Sequence, residues 1–239
     1  MYAIAIVLLG AALAGCSIGQ DDGPGVAPSG SGPTRSFAVD GFTRIDLTGS
    51  DRVEVHAGKA FSVRAEGKPE DLDTLRIARN DDTLAIGRKR SFRWGHNSEV
   101  TVYVTLPRFA EARITGSGTM AVDRVVGDSF TADVKGSGDL NIATLTVDRA
   151  DLSIAGTGDI RAGGAVKVLA VRIAGTGDLD AAGLRAAHAD VSVAGTGDVR
   201  AAVTGTAKVS LTGTGDVDLG AAARCTVANT GTGSVRCGR

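Results

Sequence analysis

Gly195-Thr196-Gly197-Asp198 is one of seven copies of a four-residue word, Gly-Ser/Thr-Gly followed by Asp, Thr or Ser, which begins at Gly116, Gly136, Gly156, Gly175, Gly195, Gly213 and Gly231. Successive copies lie 20, 20, 19, 20, 18 and 18 residues apart. A fixed period of about twenty residues is the signature of a solenoid, in which each repeat buries its apolar side only by stacking on its neighbours. The word therefore decides the fold before it says anything about chemistry.

The flanks of each word describe one coil. Counting from the first Gly, positions −4 and −2 are Leu152 and Ile154, Val171 and Ile173, Val191 and Val193, then Val209 and Leu211. Positions +4 and +6 are Ile160 and Ala162, Leu179 and Ala181, Val199 and Ala201, then Val217 and Leu219. Both arms alternate with period two and point apolar residues inward, and the Gly-Thr-Gly between them turns a corner that a Cβ would obstruct. Seven such coils, stacked at about 4.8 Å, give a rod of roughly 30 Å with a narrow interior. The fold class is all-β, a parallel β-helix with coils of 18 to 20 residues.

Two outward columns carry charge. Position +5 reads Ala121, Asn141, Arg161, Asp180, Arg200, Asp218, Arg236, so an ion pair is expected between each Arg and the Asp of the next coil. Position +3 reads Thr119, Asp139, Asp159, Asp178, Asp198, Asp216, Ser234, a ladder of like charges that requires compensation. Backbone N–H groups, Thr hydroxyls and the Arg column would supply it. Calcium between coils at Asp139, Asp159, Asp178, Asp198 and Asp216 is the minority reading, since the word lacks the spacing of nonapeptide calcium repeats.

Thirty-four glycines, few aromatics and a formal charge of −1 fit short strands and tight corners, and show no global attraction to nucleic acid. Of three cysteines, Cys225 and Cys237 fall at the inward positions −6 and +6 of the last coil. In an oxidising compartment they favour a disulfide closing that end, the alternative being two buried free thiols.

Cys16 ends Leu13-Ala14-Gly15-Cys16, directly after an apolar run that is too short to span a bilayer. This resembles the lipobox of bacterial lipoproteins, which implies a signal peptide over 1–15, a lipidated Cys16 and, with Ser17 following, an outer-membrane destination. Residues 16–35 are rich in Gly, Pro and Ser and read as a flexible tether, with the solenoid domain over 36–239.

Between Phe37 and Leu106 strands alternate without the glycine word. Asn80-Asp81-Asp82 predicts a hairpin turn, and Pro69-Glu70-Asp71-Leu72-Asp73 one turn of helix. The words Gly41-Phe42-Thr43-Arg44-Ile45, Asp51-Arg52-Val53-Glu54-Val55, Thr83-Leu84-Ala85-Ile86, Val102-Tyr103-Val104-Thr105-Leu106-Pro107 and Ile114-Thr115-Gly116-Ser117-Gly118, in that order, resemble the head GIN domain family of bacterial envelope proteins, also called autotransporter adhesin heads. The resemblance implies a right-handed parallel β-helix in a secreted or lipid-anchored protein without established enzymatic activity.

No catalytic constellation accompanies the fold. His56, His96 and His188 are scattered, no aromatic follows Phe130, and the Asp ladder singles out no coil for acid–base work. No P-loop, dinucleotide fingerprint or zinc spacing occurs, and no cofactor is expected. The departure from the pattern is Arg88-Lys89-Arg90-Ser91-Phe92-Arg93-Trp94-Gly95-His96, where Arg88, Lys89, Arg90 and Arg93 surround Phe92 and the single Trp94. This connection either binds an anionic glycan, lipopolysaccharide or membrane phosphates, or covers the open end of the rod. The expected protein is a lipid-anchored binding or adhesion module whose partners are the membrane, through its anchor, and an envelope glycan or protein. The alternatives are a self-associating or scaffolding envelope protein and, less favoured, a glycan-active enzyme.

Overall fold

A computed structural model of the chain describes residues 25–89 and 98–238. Its first strands are β1 (Pro28–Ser29), β2 (Thr34–Phe37), β3 (Arg44–Gly49), β4 (Arg52–Ala57) and β5 (Ser62–Glu66). One helical turn, α1 (Pro69–Leu72), starts at a proline and leads to the hairpin of β6 (Leu75–Asn80) and β7 (Thr83–Arg88). Asp81, with φ at 52°, makes the tight turn that Asn80-Asp81-Asp82 predicts. After β8 (Thr101–Leu106) and β9 (Glu111–Gly116), the solenoid proper consists of β10 (Thr119–Gly136), β11 (Asp139–Gly156), β12 (Ile160–Gly175), β13 (Leu179–Gly195) and β14 (Val199–Gly213). It closes with β15 (Val217–Asp218), β16 (Arg224–Asn229) and β17 (Val235–Arg236).

Each strand from β10 to β14 is a whole coil, bent around the core and paired in parallel with the next. The register keeps first glycines in line, Gly116 on Gly136, Gly156, Gly175, Gly195 and Gly213. Inward positions form continuous buried columns: Val134, Ile154, Ile173, Val193 and Leu211 on one arm, Leu140, Ile160, Leu179, Val199 and Val217 on the other. Each such side chain contributes about 1.5–3 kcal/mol by leaving water, and does so only while its neighbouring coil is in place.

The glycines are required by the stacking. Gly156 has φ of +139°, and a Cβ on Gly158 would lie 2.0 Å from the carbonyl oxygen of Gly138. The corners touch backbone to backbone, which leaves no room for any other residue in most layers.

The structure extends the stack beyond the seven words. Gly49 pairs with Gly116, and Arg52 with Thr119, so Gly49-Ser50-Asp51 is an eighth corner with Asp51 in place of the second glycine. The layer beneath it is built from β7 and β8, which pair in parallel with β3 and β4. Here the chain leaves β7 through Arg88 and Lys89 and enters β8 through Ser98 to Val100, in place of the short corner of other layers. Strand β5 then adds antiparallel to β8 and β2 antiparallel to β5, while β6 adds antiparallel to β7, finishing the N-terminal end of the rod. The larger aromatic side chains collect at this end: Phe42 meets Phe61 at 5.0 Å between ring centroids, and Phe109 meets Phe130 at 5.4 Å.

One boundary is corrected. The expected tether over 16–35 runs too far, because β1 and β2 pair with each other and Val26 donates to the Ile77 carbonyl at 2.7 Å. Gly25, Gly30 and Gly32 all have positive φ, so they are turn residues that fold this stretch back on the domain. At the other end Cys225 and Cys237 are bonded as a disulfide, with Cα atoms 6.0 Å apart, joining the arms of the last coil.

Candidate functional site

The basic and aromatic stretch lies in sequence between β7 and β8, and the described residues on either side of it are fastened to the scaffold. Arg88 is the first anchor. Its Nε donates to Asp51 Oδ2 at 2.7 Å and its Nη2 to Asp51 Oδ1, a bidentate pair whose carboxylate is fully buried. Arg88 Nη1 donates to the Asp71 carbonyl and to Thr74 Oγ1, both at 2.8 Å, and Nη2 reaches the Ser98 carbonyl at 3.2 Å. Every nitrogen of the planar guanidinium is thereby engaged. On the returning side, Val100 N donates to Asp51 Oδ1 at 3.1 Å and Ser98 N to Asp71 Oδ2 at 3.3 Å. One buried carboxylate holds both ends of the connection.

This corrects the reading of Arg88 as part of the binding loop, because its charge is consumed by Asp51 inside the corner. Lys89 is likewise tied to the scaffold, donating from its backbone N to Thr74 O at 2.7 Å and from Nζ to Asp73 O at 2.8 Å. Arg90, Phe92, Arg93 and Trp94 lie outside the described residues, as does the lipidation candidate Cys16.

The Asp ladder resolves into a chain of hydrogen bonds. Asp159 N donates to Asp139 Oδ1 at 3.1 Å, Asp178 N to Asp159 Oδ1 at 3.0 Å, and Asp198 N to Asp178 Oδ1 at 2.8 Å. The series continues from Asp216 N to Asp198 Oδ1 and from Ser234 N to Asp216 Oδ1, both at 2.8 Å. Each carboxylate satisfies a backbone donor of the following coil, the compensation the column requires. The hydrogen bonds from Ser234, backbone first and hydroxyl second, hold the Asp216 pKa below the usual carboxylate value. Calcium needs six to eight oxygens from converging ligands. Among the described residues no group of three or more His, Cys, Asp or Glu is arranged to hold a metal.

The +5 column behaves differently from its expected ladder of pairs between coils. Arg161 bonds to Asp159 at 3.2 Å and Arg200 approaches Asp198 at 3.7 Å, both within their own coil. Only Arg236 reaches across, to Asp218 at 3.0 Å. The i, i+2 neighbour on the same strand face competes with the next coil, and Asp180 is drawn instead to the Ala182 N–H at 3.3 Å.

A second feature escaped the sequence reading. A groove of about 540 Å³ runs along the rod over five coils, from Glu54 and His56 through Ala121, Asn141 and Ala143 to Arg161, Gly163, Asp180 and Gly183. Its signal in the sequence was the small residues after the second arm, Ala143, Gly163 and Gly183. The opposite arm carries a dense polar patch, in which Arg113 bonds Glu111 at 2.8 Å and lies 3.7 Å from Asp133. Within it, Asp46 Oδ1 is buried without a hydrogen-bond partner, and burial pushes the Asp46 pKa up.

A family model described as "Putative auto-transporter adhesin, head GIN domain" matches residues 41–223. The chain therefore belongs to the head GIN domain family, an adhesin-like family. Among solved structures, a protein described as a putative adhesin from Bacteroides fragilis NCTC 9343 superposes with a TM-score of 0.81 at 21% identity, covering 89% of this chain and 100% of that one. A protein described as a putative lipid binding protein from Parabacteroides distasonis ATCC 8503 gives 0.69 at 19% identity, covering 87% and 98%. A third, described as a putative adhesin from Parabacteroides merdae ATCC 43184, gives 0.70 at 17% identity, covering 86% and 95%. These likenesses establish a shared fold. No curated protein matches the chain significantly.

Proposed function

We propose that this head GIN domain protein is a lipid-anchored binding module of the bacterial cell envelope, non-enzymatic, which meets an anionic surface through the loop on its expanded corner. The observation that carries the reading is the Arg88–Asp51 pair, which fixes both ends of a loop the sequence fills with Arg90, Arg93, Phe92 and Trp94. A rigid scaffold that fastens a cationic, aromatic loop at one end of a rod suits recognition of phosphate or carboxylate groups on glycan or lipid. The lipobox at Cys16 supports anchoring in the outer membrane, and the adhesin-like family supports a place at the surface or envelope. A structural relative described as lipid binding is in keeping with a phosphate-bearing surface as target.

Binding of the mature chain to lipopolysaccharide and to an array of anionic glycans tests the reading. Salt-sensitive binding is expected, and none to any anionic glycan or lipid would refute it. Anchoring is tested separately by metabolic labelling with a fatty acid, which Cys16→Ser abolishes if Cys16 is the lipidated residue.

A second reading, association through the rod's end, is favoured by Val227, an inward-column residue that is 46% exposed on the last coil. Light scattering of the mature chain separates the two readings, since only the second requires a dimer or filament.

A further inference from the structure

The groove along the rod is a site of a different kind from the basic loop. Its apolar surface comes from the small residues Ala121, Ala143, Gly163 and Gly183, with the edges of the core residues Val55, Val122, Ile142 and Ala162 beneath them. Its volume of about 540 Å³ is in the range of ligand-binding clefts. With five coils stacked at about 4.8 Å, its length is roughly 19 Å.

Six polar side chains line it, Glu54, His56, Asp123, Asn141, Arg161 and Asp180, and Arg161 is held by Asp159 of its own coil at 3.2 Å. Glu54 at one end forms no hydrogen bond or ion pair among the described residues, and neither does the side chain of Asn141 at mid-length. Asp180 at the other end accepts only the Ala182 N–H and pairs with no cation, because Arg161 and Arg200 are turned to their own coils. Asp123 adds a third carboxylate near Glu54, 3.4 Å from His56 Nδ1. Beyond Glu54 the column continues into Tyr103, whose ring carries Arg64 at 4.7 Å, a cation already paired with Glu66. The groove thus offers Glu54 and Asp123 at one end, Asp180 at the other beside an Arg161 whose cation is held by Asp159, and one amide at its centre.

We infer that this groove binds an extended peptide segment of another protein, with a basic residue at each end and small apolar residues between. An extended chain advances about 3.3 Å per residue, so cations facing Glu54 and Asp180 would stand about five or six residues apart. The central Asn141 decides between chemistries: its amide offers both a donor and an acceptor, the complement of a peptide group and of nothing in an aliphatic chain. The charge of the groove is opposite to that of the loop, so the two surfaces take different partners.

A peptide library with all residues varied, panned on the mature chain, tests this directly. Selected peptides should carry Lys or Arg at two positions five or six apart with apolar residues between. A chosen peptide should lose affinity about threefold in each of Glu54→Gln and Asp180→Asn, and about tenfold in the double variant. Gly183→Leu should abolish binding while leaving the melting temperature unchanged, since a Cβ there meets its nearest atom at 3.6 Å. The Arg90→Ala, Arg93→Ala, Trp94→Ala variant should bind the peptide as the parent does, which separates this site from the loop. A library with no dibasic enrichment, or peptides that bind the Gly183→Leu variant undiminished, would overturn the assignment.

Discussion

Arg88 grips the buried carboxylate of Asp51 from the neighbouring layer, across the one corner where an aspartate replaces the second glycine. The two departures from the repeat explain each other. With no short corner beneath it, Asp51 has space for a side chain, and that side chain fastens the connection that took the corner's place. Removing one partner strands a buried charge, so Arg88→Met should cost about 3–5 kcal/mol. Urea unfolding curves of the two proteins check it, and a cost below about 1 kcal/mol would mean that the pair is not buried as described.

The glycine word carries an unequal pair of expectations. Gly158→Ala places a Cβ 2.0 Å from the Gly138 carbonyl oxygen and should destabilise by about 3 kcal/mol or more, whereas Gly127→Ala meets nothing within 4 Å and should be close to neutral. Thermal melts of both variants make the comparison.

Each Asp of the ladder from Asp139 to Asp216 accepts a backbone N–H of the following coil, whether or not an Arg of its own coil also pairs with it. Asp198→Ala deletes the acceptor of the Asp216 N–H and should cost about 1 kcal/mol, while Asp198→Asn, which keeps a carbonyl oxygen, should cost about half as much or less. Calcium or chelator should leave the melting temperature of the parent unchanged.

Asp46 sets a pH dependence of opposite sign to the usual carboxylate. Its folded pKa is raised by burial, so it binds its proton more tightly folded than unfolded, and the stability this contributes is complete below about pH 4 and lost as pH rises through the folded value. Asp46→Asn should therefore raise the melting temperature at pH 7 relative to the parent, with the gain vanishing near pH 3. Melting both proteins across that range measures it.

The Cys225–Cys237 bridge spans 12 residues, a short loop for which about 2–3 kcal/mol is the expected contribution. Because coils are stabilised by their neighbours alone, reduction should loosen β16 and β17 and leave β11 protected. Hydrogen exchange with and without reductant reads this coil by coil.

Much of the architecture was legible because the corner glycines have no alternative: the backbones touch, and the period follows. The disulfide was legible from the inward phase of Cys225 and Cys237. The eighth corner was hidden by a single residue, Asp51, since a word defined by two glycines misses a corner that keeps one. Arg88 was misplaced for a related reason. In sequence it is one of four cations in a run, and only the stacking of β7 under β3 shows that its charge faces inward. The +5 column misled because alternating signs along a stack satisfy two geometries equally, and the i, i+2 neighbours took precedence at Arg161 and Arg200. The groove left only the faint mark of Ala143, Gly163 and Gly183, residues whose meaning is the space they leave.

The proposed function makes the loop between β7 and β8 a binding surface for anionic envelope groups. Surface plasmon resonance of the mature chain over immobilised lipopolysaccharide, parent against the Arg90→Ala, Arg93→Ala, Trp94→Ala variant, measures it most directly. Salt-sensitive binding by the parent and its loss in the variant, with the melting temperature unchanged, is the expected result; equal binding by the two proteins would refute the proposal.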